Sequence, residues 1–65
     1  MKIVLNGEPI EINVTTLGEL CSIEGYGGAK IATAVNGEFV AERTRAATRL
    51  SEADRVEIVA PRQGG

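Results

Sequence analysis

Residues 15–25 have the sequence TTLGELCSIEG, and the rest of the chain is arranged around the helical pattern in this stretch. Thr16 and Glu19 fit a capping box, in which the threonine hydroxyl accepts a hydrogen bond from the Glu19 amide and the glutamate carboxylate accepts one from the Thr16 amide. Gly25 suits the left-handed conformation that commonly ends a helix. Between these ends, apolar side chains recur at helical spacing, at Leu17, Leu20, Cys21 and Ile23. The stretch therefore predicts one helix over residues 17–24.

Two strands are predicted before this helix. Residues 2–6 and 10–14 both alternate between the two faces of a strand. The side chains of the second strand that we expect to face the core are Ile10, Ile12 and Val14. The pair Asn6-Gly7 lies between the strands and favours a tight turn, because both residues tolerate a positive φ. We therefore predict an antiparallel hairpin with one face packed on the core.

Three more strands are predicted after the helix, at residues 31–35, 39–41 and 55–59. The pair Asn36-Gly37 separates the first two of them and is a second hairpin signal. Residues 43–49 carry much charge and show no clear period, so we expect a loop or one irregular helical turn there.

The order strand, strand, helix, strand, strand, strand differs from the regular alternation of an α/β protein. It predicts an α+β fold, with a single mixed five-stranded sheet and one main helix across one face. A chain of 65 residues is expected to form one small domain. We place this domain at residues 1–60. Residues 61–65, PRQGG, are predicted to form a flexible tail, because glycine lacks a Cβ and holds no single backbone conformation.

Composition disfavours several kinds of partner. The net charge of −2 argues against nucleic acid, whose phosphates require a basic surface. We expect no membrane association, because no apolar run approaches the length of a membrane span. Cys21 has no second cysteine to pair with, which fits a reducing cytoplasm. All the arginines lie in the C-terminal third, and we interpret them mainly as solvated charges, although they could contact an acidic partner: Arg43, Arg45, Arg49, Arg55 and Arg62.

The sequence also lacks the residue combinations that common catalytic and metal sites require. The chain contains no histidine, which excludes Ser-His and Cys-His pairs. Without such a base, Cys21 is interpreted as a small buried apolar residue. One cysteine and no histidine do not suit a structural zinc site, so we expect no metal. We therefore predict that the chain is not an enzyme and binds no cofactor itself.

The tail is the remaining candidate for chemistry. Gly64 and Gly65 bury nothing, but they would present a main-chain carboxylate on an arm narrow enough to enter a channel that side chains could not pass. The alternative is an incidental end, because chain ends are commonly frayed and tolerate glycine.

Three stretches carry a resemblance to a known family: IVLNGE at residues 3–8, AVNGEFV at residues 34–40, and residues 50–59 leading to Gly64-Gly65. With them the chain resembles the small sulfur carrier proteins of the ubiquitin-like β-grasp fold, most closely the thiamine-biosynthesis sulfur carriers of the ThiS family. The resemblance covers the whole chain. One departure is Ala53-Asp54, where the family commonly has Gly-Asp, and this puts the geometry of that turn in question.

The resemblance implies a role for the tail. A ubiquitin-activating-enzyme-like adenylyltransferase would use ATP and magnesium to convert the Gly65 carboxylate into an acyl-adenylate. A persulfide, formed from cysteine by a cysteine desulfurase, would displace AMP, and the resulting thiocarboxylate would give its sulfur to thiazole synthase. Gly64, Gln63, Arg62 and Pro61 would be the part of the tail that threads into the partner active sites.

Phe39 is a candidate for a docking patch if its ring lies on the exposed face of the sheet. The alternative is a core aromatic residue. Three other functions also stay open: another β-grasp sulfur carrier such as the small subunit of molybdopterin synthase, a ubiquitin-like modifier that forms an isopeptide through Gly65, and a binding module whose tail has no role.

Overall fold

The computed structural model describes residues 1–27 and 29–60, and within them the chain forms a five-stranded mixed sheet with one α-helix packed across one face. The strand order is β2-β1-β5-β3-β4. Strands β1 and β5 are parallel, and the other neighbouring pairs are antiparallel. The elements are β1 (Lys2–Leu5), β2 (Glu8–Glu11), α1 (Leu17–Ile23), β3 (Ala32–Val35), β4 (Glu38–Val40), a 3₁₀ helix (Glu42–Ala47) and β5 (Arg55–Val59). The predicted α+β class and element order are confirmed. The predicted tail, residues 61–65, lies outside the described residues, so the domain boundary after residue 60 stays a prediction.

Helix α1 begins with the predicted capping box. The Glu19 amide donates to Thr16 Oγ1 over 3.2 Å, and Glu19 Oε1 accepts from the Thr15 and Thr16 amides over 3.0 and 3.1 Å. The hydrogen bonds that the carboxylate accepts, from the Thr15 amide first and then from the Thr16 amide, lower the pKa of the Glu19 carboxyl because they favour its ionised form. The helix ends at Ile23 with Glu24 as its C-cap, and Gly25 follows with a φ of 87°, in the left-handed region that commonly terminates a helix.

The apolar face of α1 is narrower than the sequence suggests. Leu17, Leu20 and Cys21 are buried as expected, but the Ile23 side chain is 56% exposed. Successive helical residues are rotated by about 100°, so Ile23 lies well away from the line through the three buried residues. The core is completed from the sheet side and from the loops by Ile3, Ile12, Leu50, Val56 and Ile58.

Strand β2 begins earlier than the alternation at residues 10–14 predicts. The two-residue turn at Asn6-Gly7 places Glu8 directly opposite Leu5, so pairing starts immediately after the turn and ends at Glu11. Ile12 is still buried, although it lies beyond the strand, and its amide donates to the Met1 carbonyl over 2.8 Å.

The turn before β5 retains a left-handed residue without glycine. Ala53 has a φ of 72°, a region that costs a residue with a Cβ about 1–2 kcal/mol. The turn is held by Asp54, whose Oδ2 accepts from the Ser51 amide over 2.8 Å, and by the Ala53 amide, which donates to the Lys2 carbonyl over 2.8 Å. The departure from Gly-Asp therefore places a residue with a Cβ at a strained position of this turn.

The charged segment at residues 43–49 is a 3₁₀ helix over most of its length. The sequence predicted a loop or one irregular helical turn here, and the structure shows the helical alternative. The 3₁₀ helix packs against α1. A Cβ added at Gly18 would lie 3.1 Å from the Ala46 Cα. Gly18 lowers the helix propensity of α1, but its lack of a side chain permits this close approach.

Candidate docking surface beside the C-terminal segment

The residues predicted to carry the chemistry, Gly65, Gly64, Gln63, Arg62 and Pro61, all lie outside the described residues. The structure does show the position of the residues that directly precede them in the sequence. Strand β5 lies in the middle of the sheet, between β1 and β3, and Ala60 follows its last residue. The predicted tail is therefore reached from a central strand.

Strand β5 separates its side chains strictly between the two faces of the sheet. Val56 and Ile58 are buried against α1, as their alternation predicts. Arg55, Glu57 and Val59 face the opposite side, which we call the outer face, and all three are exposed. Val59 is unusual in this series because it is apolar and 60% exposed.

Phe39 lies on the same outer face. Its side chain is 73% exposed, which rules out the alternative of a core aromatic residue. In the sheet register Ala34 is opposite both Phe39 on β4 and Glu57 on β5, and Ala32 is opposite Val59. Apolar side chains therefore continue across three strands, and we call this group the outer-face patch: Ala32, Ala34, Phe39 and Val59.

The outer-face patch has the features of a contact surface. Exposed aromatic residues beside small side chains provide apolar area that a partner can cover, and aromatic residues are enriched at interfaces. Val59 belongs to the patch and is also the last residue of β5. A partner bound to the patch would therefore lie next to Ala60, after which the predicted tail begins. The geometry favours Phe39 as a docking residue, a role that stays a proposal.

Sequence reasoning missed the other members of the patch. A signal for Val59 was present, because it is the one apolar residue in the outward series of β5, after Arg55 and Glu57. Ala32 and Ala34 gave no such signal, since small side chains in a strand are compatible with either face.

Arg45 departs from the interpretation of the arginines as solvated charges, because it is partly buried and its guanidinium makes hydrogen bonds within the protein. Its Nε donates to Thr33 Oγ1 over 2.9 Å, and a terminal guanidinium nitrogen donates to the Ile31 carbonyl over 2.7 Å. Thr33 is 2% exposed, and its hydroxyl in turn donates to the Val40 carbonyl over 2.8 Å. The guanidinium therefore joins the 3₁₀ helix to strand β3.

Residues 3–65 match the ThiS family. This chain belongs to the ThiS family. The crystal structure of a thiamine biosynthesis protein (ThiS) from Geobacter metallireducens is similar over 100% of both chains, with 26% sequence identity and a TM-score of 0.84. The solution structure of a thiamine biosynthesis protein from the same organism is similar over 100% of this chain and 88% of that one, with 25% identity and a TM-score of 0.80. No curated protein matches the chain.

Membership of the ThiS family confirms the resemblance that the sequence carries, together with the ubiquitin-like β-grasp fold. ThiS proteins are small sulfur carriers of thiamine biosynthesis, so membership of the family supports the role of a sulfur carrier for this chain. The match extends through residue 65 and thus includes both residues of the Gly64-Gly65 pair.

Cys21 lacks the surroundings of a reactive thiol. It is buried on α1, and this burial raises the pKa of its thiol, an effect that the nearby charge of Arg45 partly opposes. A thiol with a raised pKa is mostly protonated and is a poor nucleophile at neutral pH. Cys21 therefore acts as a packing residue in this fold.

Two further findings concern the described part of the chain. Within residues 1–27 and 29–60, no group of three or more His, Cys, Asp or Glu side chains is placed to hold a metal ion. Over the same ranges, no helix has the length and apolar character that a membrane crossing requires.

Proposed function

We propose that this chain is a sulfur carrier of thiamine biosynthesis in which the α-carboxylate of Gly65 is converted to a thiocarboxylate. The observation that carries the proposal is the ThiS family match, which extends through Gly64 and Gly65. The position of β5 supports it, because a central strand leads to the tail beside an exposed apolar patch. The same match favours this role over that of a molybdopterin synthase small subunit.

Activation by a partner is required because a carboxylate is a poor electrophile. An α-carboxyl group has a pKa of about 3.5 and is ionised at neutral pH. A ubiquitin-activating-enzyme-like adenylyltransferase, using ATP and magnesium, joins a carboxylate oxygen of Gly65 to AMP and releases pyrophosphate. A persulfide made by a cysteine desulfurase then attacks the acyl carbon and displaces AMP. A thiol reduces the acyl disulfide and leaves the thiocarboxylate, which gives its sulfur to thiazole synthase.

The chain contributes recognition and reach to this reaction. Phe39 and Val59 supply apolar area for docking, and the tail beyond Ala60 enters the partner active site. Gly64 and Gly65 are small enough to thread a narrow channel, while Pro61, Arg62 and Gln63 form the base of the arm. The chain itself supplies no catalytic group and binds no cofactor, and we place it in the cytoplasm with neither nucleic acid nor a membrane as partner.

The decisive measurement is the intact mass of the protein after incubation with its adenylyltransferase, ATP, magnesium, a cysteine desulfurase, cysteine and a thiol. We expect a mass increase equal to the replacement of one oxygen atom by one sulfur atom. Loading is expected to be lost when Gly65 is deleted or when a residue is added after it, because both changes move the carboxylate away from the adenylylation site.

Two controls make the result interpretable. Each tail variant should unfold in urea at the same midpoint as the wild-type protein, since the tail is not expected to contribute to the core. An unchanged wild-type mass in the presence of a competent, matched activating enzyme would refute the proposal. Higher-mass conjugates in a lysate would instead indicate a ubiquitin-like modifier.

A further inference from the structure

The strand that leads to the tail is supported unequally by its two neighbours. On one side, β3 pairs with β5 as far as Ala32 opposite Val59. On the other side, β1 pairs with β5 only through Val4 with Arg55 and Leu5 with Val56, because the chain turns away at Asn6-Gly7. Main-chain pairing from β1 therefore stops well before the C-terminal end of β5.

The side chain of Asn6 continues the pairing where the main chain of β1 leaves it. In the parallel ladder, the Val4 amide donates to the Asp54 carbonyl and the Asn6 amide donates to the Val56 carbonyl, each over 2.9 Å. The next residue of β5 to face β1 is Ile58, whose amide donates to Asn6 Oδ1 over 2.9 Å. Asn6 Nδ2 completes the arrangement by donating to the Ile58 carbonyl over 3.2 Å. The carboxamide thus replaces one peptide unit of the missing strand.

The second hairpin provides an internal comparison. Asn36 also bonds β5 through its carboxamide, because its Oδ1 accepts from the Arg55 amide over 2.9 Å and its Nδ2 donates to Asp54 Oδ1 over 3.0 Å. These bonds lie at the start of β5, at the end remote from residue 60. The two asparagines therefore make similar contacts at opposite ends of the same strand.

We propose that Asn6 is a positioning residue for the sulfur-carrying end of the chain. By holding both main-chain groups of Ile58, its carboxamide fixes the direction in which β5 leaves the sheet beside the outer-face patch. A shift of β5 at Ile58 changes the point at which the chain leaves the sheet relative to a partner docked on the outer-face patch, and misplacement of a reacting group by about 1 Å can slow a reaction about a hundredfold. This inference rests on the proposed function for its catalytic consequence.

The variant that isolates the carboxamide is Asn6→Gly. Asn6 has a φ of 50°, which glycine adopts without strain, so the substitution removes the side-chain hydrogen bonds and keeps the turn. The matched control is Asn36→Gly, at a φ of 51° in the same kind of turn. If Asn6→Gly does not fold, Asn6→Asp takes its place, because it keeps the oxygen that accepts from Ile58 and loses the Nδ2 donor.

The first readout is amide hydrogen exchange measured by NMR. In Asn6→Gly we expect the Ile58 amide to exchange about tenfold faster, as loss of hydrogen bonds of ordinary net strength implies, with the Arg55 amide unchanged. Asn36→Gly should show the reverse pattern. With Asn6→Asp, the acceleration at Ile58 should be smaller, because the acceptor oxygen remains.

The second readout is the steady-state kinetics of sulfur loading. Neither substitution changes a residue of the outer-face patch, so we expect Asn6→Gly, or Asn6→Asp in its place, to lower kcat about tenfold with KM changed less than about twofold. Asn36→Gly is expected to keep the wild-type kcat. A general loss of stability would affect both glycine variants alike and would not produce this split.

Three results would overturn the proposal: equal kcat values in the Asn6 variant and the wild-type protein, an equal fall in kcat with Asn36→Gly, or unchanged exchange at Ile58. These failures differ from failure of the proposed function, which appears as a wild-type protein that takes up no sulfur. In that case the kinetic role of Asn6 also falls, and the exchange experiment alone decides whether its carboxamide holds β5.

Discussion

The two Asn-Gly-Glu hairpins of the described chain have the same turn but use their strands differently. Asn6 and Asn36 have φ values of 50° and 51°, and the glycines after them have values of 87° and 84°. The inward residue in the middle of the first hairpin is the fully buried Ile3, whereas the corresponding buried residue of the second is Thr33. Equal local sequences thus produce equal turns, while the strands on either side decide what each hairpin contributes.

The outer faces of the hairpins also differ. The first hairpin presents Lys2 opposite Glu11, which are both exposed and charged. The second presents Phe39 opposite Ala34. Its strand β3 also pairs with the C-terminal end of β5, where Ala32 is opposite Val59. The first hairpin therefore serves mainly the core, and the second combines a hydrogen-bonded interior with an apolar exterior suited to a partner.

The largest expected effect is on the interior of the first hairpin. Ile3→Ala should lower the free energy of unfolding by about 3 kcal/mol, because it removes buried methylene groups and leaves a cavity. Urea denaturation monitored by circular dichroism would measure the loss. If the alanine variant is unfolded at the outset, Ile3→Val should still cost about 1 kcal/mol.

The matched change on the outer face of the same strand is Val4→Ala. Val4 is only partly buried, so its loss should be clearly smaller than that of Ile3. Equal losses at the two positions would contradict the view that the first hairpin acts through one buried face.

An intermediate effect is expected in the interior of the second hairpin. Thr33→Val keeps the side-chain volume, but it removes the acceptor for Arg45 Nε and the donor to the Val40 carbonyl. Leaving such groups without a partner should cost about 2 kcal/mol of unfolding free energy. The measurement is again urea denaturation.

A double-mutant cycle with Arg45→Met would sharpen this result. When the guanidinium is absent, the cost of Thr33→Val should fall, because the hydroxyl then has one hydrogen bond fewer to lose. A neutral Thr33→Val in the wild-type background would show that the second hairpin does not depend on its hydrogen bonds.

The smallest effect on stability is expected on the exterior of the second hairpin. Phe39→Thr keeps a β-forming residue at an exposed position, so the free energy of unfolding should change by less than about 0.5 kcal/mol. Affinity for the activating adenylyltransferase, measured by calorimetry, should nevertheless fall about tenfold, because an aromatic contact residue is lost.

The matched control for this loss is Glu11→Thr, on the outer face of the first hairpin. It is expected to leave binding unchanged, since Glu11 lies on the opposite edge strand of the sheet. Equal binding losses at Phe39 and Glu11, or none at Phe39, would show that the outer-face patch is not the docking surface.

Much of the fold could be predicted because it depends on neighbours in the sequence. The capping box at Thr16, the stop at Gly25 and both Asn-Gly turns are interactions within a few residues, so their residue types and spacing were sufficient evidence. The alternation of β5 also predicted its buried side chains, because the period of a strand assigns each residue to a face. Ile23 and the start of β2 differed because side-chain burial and strand register depend on the elements packed around them.

The candidate site was predictable only in part. The Gly64-Gly65 pair and the family-like stretches indicated a carrier from the sequence. For Phe39 the sequence left two alternatives, an exposed docking residue and a core aromatic residue. The choice between them depended on how β3 pairs with β4 and β5, because this register decides which face of the sheet Phe39 lies on. The same register places Ala32 opposite Val59.

The sequence by itself determined the element order, the turns and caps, the absence of catalytic histidine and the family to which the chain belongs. These features follow from residue types and short-range contacts. Only the tertiary structure decided that β1 lies parallel to β5, that Gly18 permits the approach of Ala46, and that Asn6 holds Ile58, a residue 52 positions away. Such contacts join residues distant in sequence, and they exist only after burial of the core has brought the two hairpins and the helix together.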